Sequence, residues 1–322
     1  MYDLIPFTYP LQNVKFIVRE IELNQKSDSE IINPYPSSIS YLLGDSDKCS
    51  HVQKSRGSLL VAVKSYVGDF DQRLSVRQTW GRASHDQMVV VFMVGYQNYS
   101  QPLLQEEEHL YRDIVQGAFE DTYDNNIFKT LMIYKWIVEF CDSVDYILFV
   151  DDDYLVNVDN ILDAIRRQKY FTGVDVMYGY KLFWRSPIRN PAGKWYLTFA
   201  QYSNNYYPSY LAGGAILASI DIVRKFNIAF PYVKHLYIDD TYLGVVAKLL
   251  DITLQHDTRF SLYYVSPREV VNLFCSHGYG SRGSLSSGWK DLYLSSRYLQ
   301  PGLLVTWINK GTTSGALEVT VN

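Results

Sequence analysis

Three short stretches of the chain are almost wholly apolar: Leu59-Leu60-Val61-Ala62-Val63, Met88 to Gly95, and the run Tyr-Ile-Leu-Phe-Val from Tyr146 to Val150. Runs of this length, rich in β-branched residues, predict strands buried on both faces. Elsewhere the period changes. The charged stretch from Asp71 to Trp80 and the segment from Glu106 to Tyr111 read as helices. From Asn126 to Cys141, apolar Ile127, Leu131, Tyr134, Val138 and Cys141 recur close to the helical period, which predicts an amphipathic helix. Val158, Ile161, Leu162 and Ile165 repeat at i, i+3, i+4, i+7 on another. Strands alternating with helices predict βαβ units and an α/β fold, a mostly parallel sheet flanked by helices.

The second half is less regular. It predicts a small-residue strand from Leu211 to Ser219, a helix from about Asp239 to Leu250, and short strands near Ile252 and Val270. Residues 1–57 carry Pro34, Pro36 and Ser37-Ser38 and close at Gly57-Ser58, which reads as an irregular stem or leader. Signals weaken again after Tyr293. The expected organisation is a stem over 1–57, one domain over 58–293 and a loosely packed tail over 294–322.

Composition narrows the function classes. With 322 residues, 47% of them apolar, the chain can bury a sizeable core. The formal charge is −4 and no Lys/Arg block stands out, so no nucleic-acid partner is expected. No apolar run reaches about 18 residues and no basic start precedes an apolar stretch, so neither a membrane span nor a signal peptide is read; the chain is soluble as it stands, or a fragment of a longer anchored protein. Cys49, Cys141 and Cys275 fit no zinc spacing; one bridge and one free thiol are compatible with them, without an assignment. Twenty-eight tyrosines suit either a Tyr-rich core or a groove whose rings take sugars. Asn98-Tyr99-Ser100 is a glycosylation sequon.

The candidate chemistry starts where the third apolar run ends, at Asp151-Asp152-Asp153. Ligands of open α/β sheets bind at the carboxyl ends of strands. Adjacent carboxylates repel unless a cation or solvent neutralises them, and oxygen ligands suit Mg²⁺ or Mn²⁺. The alternative is a solvated turn in which Asp153 or Asp159 caps the next helix. Asp239-Asp240 opens the late helix, as a dipole-favoured start or as a general base. His277, after the apolar run Val270 to Phe274, is a metal ligand or a satisfied histidine.

Several blocks then appear in a fixed order. They are Arg73-x-x-x-Arg77-Gln78-Thr79-Trp80-Gly81, Phe119 to Asn125 followed by Lys129-Thr130, and Asp151-Asp152-Asp153 running on to Asn157. Pro187-x-Arg189, Lys194-Trp195, Tyr207-Pro208-x-Tyr210 to Gly213-Gly214, and Asp239-Asp240-Thr241-x-x-Gly244 follow. From about Leu59 to His277 the chain resembles the inverting β1,3-glycosyltransferases of the galactosyltransferase type, glycosyltransferase family 31.

The resemblance implies a GT-A-like, Rossmann-like catalytic domain over 58–293 that uses a UDP-sugar donor and Mn²⁺ (or Mg²⁺). Asp153 would be the main metal ligand, with Asp151 and Asp152 on metal-bound water or ribose and His277 completing the site. Arg73, Arg77, Asp121 and Lys129 would lie around the nucleotide. Trp195, Tyr207, Tyr210, Gly213, Gly214 and Asp239 would line the acceptor and donor pocket, and Asp240 would be the catalytic base. The implied reaction moves a hexose, with galactose the expected sugar, onto a glycan of a glycoprotein or glycolipid in the Golgi lumen. Family members are type II membrane proteins, and this chain shows no anchor. Phe149, Ala118, Asn126-Ile127 and Asp239 depart from the family pattern and bear on donor and acceptor choice. The competing readings are a non-catalytic UDP- or carbohydrate-binding relative and a glycoside hydrolase, which the adjacent triplet suits less well than a metal site.

Overall fold

The computed structural model describes residues 13–25, 27–33, 38–44, 48–49, 57–82, 87–167, 176–298, 305–308 and 316–319. Its centre is an eight-stranded sheet in the order β1-β4-β3-β2-β5-β8-β7-β9. These strands are β1 Tyr41–Leu43, β2 Leu59–Lys64, β3 Met88–Tyr96, β4 Ile114–Glu120, β5 Tyr146–Asp151, β7 Val176–Leu182, β8 Tyr210–Ser219 and β9 Thr253–His256. β4, β3, β2 and β5 run parallel, β8 runs antiparallel to β5 and β7, and β9 runs parallel to β7. A second sheet joins β10 Phe260–Ser261, β11 Cys275–His277 and β6 Tyr154–Val156.

Both faces of the large sheet are covered, which is why its central strands read as unbroken apolar runs. In β2, Leu60 and Ala62 join one core while Leu59, Val61 and Val63 join the other. The first face packs against helices α1 Val14–Glu22, α4 Asn126–Phe140, α6 Ile220–Ala229 and α7 Asp239–Leu249. The second packs against α2 Phe70–Gln78, α3 Gln101–Tyr111, α5 Val158–Arg166 and α9 Arg282–Tyr298. The helix expected over 126–141 is present but is not amphipathic. Ile127, Lys129, Leu131, Met132, Ile133, Tyr134, Trp136 and Ile137 are buried around most of its circumference, because it lies between the sheet and α6.

The reading of 1–57 as irregular misses two elements. Val14, Ile17 and Val18 are buried as one face of α1, each burial contributing roughly 1.5–3 kcal/mol. β1 extends the sheet antiparallel to β4. Trp136 Nε1 donates to Gly44 O at 2.7 Å, Lys135 Nζ donates to Ile39 O at 2.7 Å, and Cys49 is disulfide-bonded to Cys141. Pro34, Pro36 and Ser37 lie outside the described residues. Near Val270 the chain forms a short helix, α8 Pro267–Val270, instead of the expected strand, since Pro267 suits a first helical turn; the strand is β11. Helix α9 runs past 293 to Tyr298, and β12 Val305–Ile308 pairs with β13 Ala316–Val319. Among the described residues no helix is long and apolar enough to cross a membrane.

Candidate active site

β2, β3, β4, β5, β7 and β9 all end on one rim of the sheet, and β8 begins there. The aspartate triplet ends β5 on that rim. It does not cap the next helix: Asn157 Oδ1 accepts from Asn160 N at 3.2 Å and does so itself. Capping of the next helix therefore does not account for the triplet. Gln72 Nε2 donates to Asp152 O at 2.7 Å and to Tyr279 O at 2.9 Å, holding the turn to α2 and to the chain after β11.

Antiparallel pairing of β6 with β11 sets His277 opposite Tyr154 and beside Asp153. His277 Nε2 lies 3.1 Å from Asp153 Oδ2. Burial pushes the Asp153 carboxyl above its ordinary pKa, Asp151 adds to this, and His277 offsets part of it. Burial likewise pushes Asp152 up to about 7; Ser65 opposes the shift, while Asp151, Asp69 and Asp153 add to it. Asp152 Oδ2 and Asp153 Oδ1 are buried without a hydrogen-bond partner. An unpartnered Asp153 oxygen beside the His277 imidazole, with a second on the adjacent Asp152, fits a hard divalent cation. No three His, Cys, Asp or Glu side chains among the described residues form a ready-made cage.

Lys64 links the triplet to the second acidic pair. It ends β2 opposite Asp151 in the register. Its Nζ lies 3.0 Å from Asp151 Oδ1 and 3.5 Å from Asp239 Oδ2, and donates to Gly213 O at 3.0 Å. Burial pulls the ammonium pKa down, but Asp151, Asp239 and Asp240 outweigh it and the net shift is upward, so Lys64 stays charged. Thr130 Oγ1, on α4, donates to Asp239 Oδ2 at 2.7 Å. Asp240, in the first turn of α7, accepts from Thr241 N at 2.6 Å. Burial, then the charge of Asp239, push Asp240 from 3.8 up to about 7, against Thr241 N–H, Lys64 and Gly213 N–H. A carboxylate poised near neutrality, with Asp239 already engaged by Thr130 and Lys64, is suited to take up a proton.

The residues expected around the nucleotide take another place. Arg73 is fully buried: its guanidinium grips Glu107, with Nη2 2.7 Å from Oε2, and donates to Ser65 Oγ, Tyr66 O and Val67 O. Arg77 pairs with Glu107 at 2.6 Å and Asp113 at 2.8 Å and lies over the rings of Phe92 and Tyr111. Asp121 accepts from Val67 N and Gly95 N and pairs with Lys129 at 2.8 Å, while Lys129 donates to Ser65 O. Arg73, Asp121 and Lys129 hold loop 65–69 from beneath, and Arg77 braces Glu107, the partner of Arg73. With these partners in place, Arg73 and Arg77 have no free face for a ligand, and the expectation of donor contact is corrected to one of support.

The pocket residues also divide. Tyr207 and Tyr210 are buried, with rings 6.1 Å apart, and form a wall behind Asp240, whose charge adds to burial in raising Tyr210 to about 12. Gly213 is needed because a Cβ there would sit 3.2 Å from Asp240 Cβ, and Gly214 because one would overlap Tyr154. Their smallness makes room for neighbouring side chains. Trp195 is open, 46% exposed; its Nε1 donates to Tyr123 Oη at 2.6 Å, and Lys194 Nζ lies 4.0 Å over the Tyr123 ring. Tyr123 feels the charges of Asp239, Asp240 and Lys64, which sets this ring pair at the mouth of the acidic site. Phe183, Trp184, Phe199 and Tyr206 are further exposed rings on the β7–β8 connection, and Trp184 has φ +54°, a left-handed conformation unusual for a bulky residue.

Sequence reasoning missed Lys64, Thr130 as the partner of Asp239, and Tyr123. The signal for Lys64 was the charge that closes the first apolar run.

The Galactosyltransferase family model matches residues 71–258. The chain is 30% identical over 239 residues to beta-1,3-galactosyltransferase brn of Drosophila melanogaster, covering 72% of this chain and 74% of that one. It is 28% identical over 267 residues to UDP-GalNAc:beta-1,3-N-acetylgalactosaminyltransferase 1 of Sus scrofa, covering 77% of each. Among solved structures, a glycosyltransferase involved in the glycosylation of the major capsid of PBCV-1 aligns over 72% of this chain and 98% of its own, with 11% identity and a TM-score of 0.43.

Proposed function

The chain belongs to the galactosyltransferase family, and from that premise we propose that it transfers galactose from a UDP-sugar to a hydroxyl of an acceptor glycan, in β1,3 linkage and with inversion. The observation that carries the reading is the pairing of two sites through Lys64. On one side stand the unpartnered oxygens of Asp152 and Asp153 with His277; on the other stands Asp240, its pKa raised to about 7. Single displacement needs those two functions, a holder for the leaving diphosphate and a base for the incoming hydroxyl.

Asp153 and His277, with Asp151 and Asp152, would hold Mn²⁺ or Mg²⁺, which when bound neutralises charge on the diphosphate. Asp240 accepts the proton of the acceptor hydroxyl as its oxygen attacks the anomeric carbon. The bond from that carbon to the diphosphate oxygen breaks, and its electrons leave with UDP. Lys64 keeps the two carboxylate groups compatible at short range and restrains Asp239. Trp195 and Tyr123 offer ring faces to the acceptor sugar beside the base. The Cys49–Cys141 bridge supports an oxidising lumen, the Golgi in this reading.

The test is UDP release with Mn²⁺ from UDP-galactose, UDP-N-acetylglucosamine and UDP-N-acetylgalactosamine, with and without simple β-linked acceptors. Acceptor-dependent release from UDP-galactose, with a β1,3-linked product, is expected. Release from another donor alone would replace the sugar assignment. No release from any donor, with UDP still bound, would make the chain a binding relative.

A further inference from the structure

Asn98-Tyr99-Ser100 is the one Asn-x-Ser/Thr triplet in the 322 residues, and no Pro occupies its middle. The transfer reaction makes no use of it. The triplet forms a 3-10 turn between β3 and α3, on the rim where β3 ends. Asn98 and Tyr99 are exposed and Ser100 is buried. Asn98 Oδ1 accepts from Tyr96 Oη at 3.2 Å, and its Nδ2 makes no hydrogen bond among the described residues. The side chain is thus open to solvent, with its amide nitrogen not engaged by the described residues. A second, independent feature identifies the compartment. Cys49 and Cys141 are joined, and such bridges persist in oxidising lumens, where Asn-x-Ser triplets meet their modifying enzyme.

We propose that Asn98 carries an N-linked oligosaccharide. The donor is an oligosaccharide on a lipid diphosphate carrier, and the transferring enzyme acts on the emerging chain before Ser100 is buried. Asn98 Nδ2 forms a bond to C1 of the first sugar. The bond from C1 to the phosphate oxygen breaks, its electrons leave on the lipid diphosphate, and an amide proton passes to a base of the transferring enzyme. In the folded protein the glycan stands on the β3 side of the rim, beside the exposed ring of Tyr99, whose hydroxyl is hydrogen-bonded to that of Tyr66.

The full chain, secreted from a eukaryotic host behind a cleavable signal, supplies the test. Digestion with a peptide-N-glycosidase is expected to give one downward step in mobility and to convert Asn98 to Asp in the peptide map. The step should persist in Ser100→Thr and be lost in Asn98→Gln, with folding of both variants checked by closure of Cys49–Cys141. Secreted protein with Cys49–Cys141 closed and Asn98 bare would overturn the proposal. A step that persists in Asn98→Gln would overturn it as well.

Discussion

The two halves of the rim use their side chains in opposite ways. On the β4-β3-β2 side, charged residues are consumed by one another: Arg73, Arg77, Glu107 and Asp113 form one buried group, Asp121 and Lys129 a second, and both pin loop 65–69. On the β8-β7-β9 side, the connection from 183 to 209 turns rings outward and holds its own path mainly through Arg189, which donates to Leu197 O, Tyr202 O and Asn204 O. The first half makes a fixed platform out of ions, and the second makes an open face out of aromatics.

The comparison breaks most sharply at the base between the halves. Asp240→Asn is expected to lower kcat/KM by about 10²–10⁴-fold while UDP binding is retained; full activity would remove Asp240 from the mechanism. In the unaltered protein, kcat/KM should fall as pH drops through about 7, where the carboxylate gains its proton. Stability has the opposite sign. The folded pKa lies above the ordinary 3.8, so ionisation opposes folding; the penalty is absent below 3.8, grows as pH rises and is complete above about 7. Asp240→Asn should therefore raise Tm at pH 8 and leave it nearly unchanged near pH 4.

The platform comes next. Arg73→Ala leaves Glu107 with Arg77 alone, strips the donors from Ser65 Oγ, Tyr66 O and Val67 O, and should cost about 1–3 kcal/mol in denaturant unfolding. A donor contact would instead raise the donor KM with stability unchanged, which would restore Arg73 to the nucleotide. On the aromatic side, Trp195→Ala should raise the acceptor KM about tenfold, the order of one stacked ring, and leave slow UDP-sugar hydrolysis and the donor KM as they were. An equal change in both KM values would put Trp195 on the donor. The smallest effects distinguish the charges around the base. Lys64→Met should move the acid limb of kcat/KM upward and Asp239→Asn should move it downward, because Lys64 lowers and Asp239 raises the Asp240 pKa.

Much of the platform was legible in the chain because β2, β3 and β5 are covered on both faces and so lack polar alternation. β4 was not, since it places Gln116 and Gly117 in mid-strand, where the amide Nε2 of Gln116 donates to Gly95 O. α1 was hidden for another reason: its three buried positions are too few to stand out before a proline-broken stretch. The triplet and Asp240 could be found from adjacency and from block order. Lys64 showed only as the charge closing an apolar run, because its partners Asp151, Gly213 and Asp239 are brought to it by the strand order. Arg73 and Arg77 show the converse: a motif conveys which residues recur, and it does not convey that Glu107, on another helix, already satisfies them.

The bridge between Cys49 and Cys141 also has a mechanical meaning. It lies between β1 and β2 along the chain and fastens the early segment to the end of α4. Tension applied anywhere upstream of Cys49 would be handed to a covalent bond and passed into the body of the domain. β1 could then be peeled from the sheet edge while part of the load was carried to the end of α4 and not to β2. The working rim is in this sense strain-relieved, like a cable clamped before its terminals.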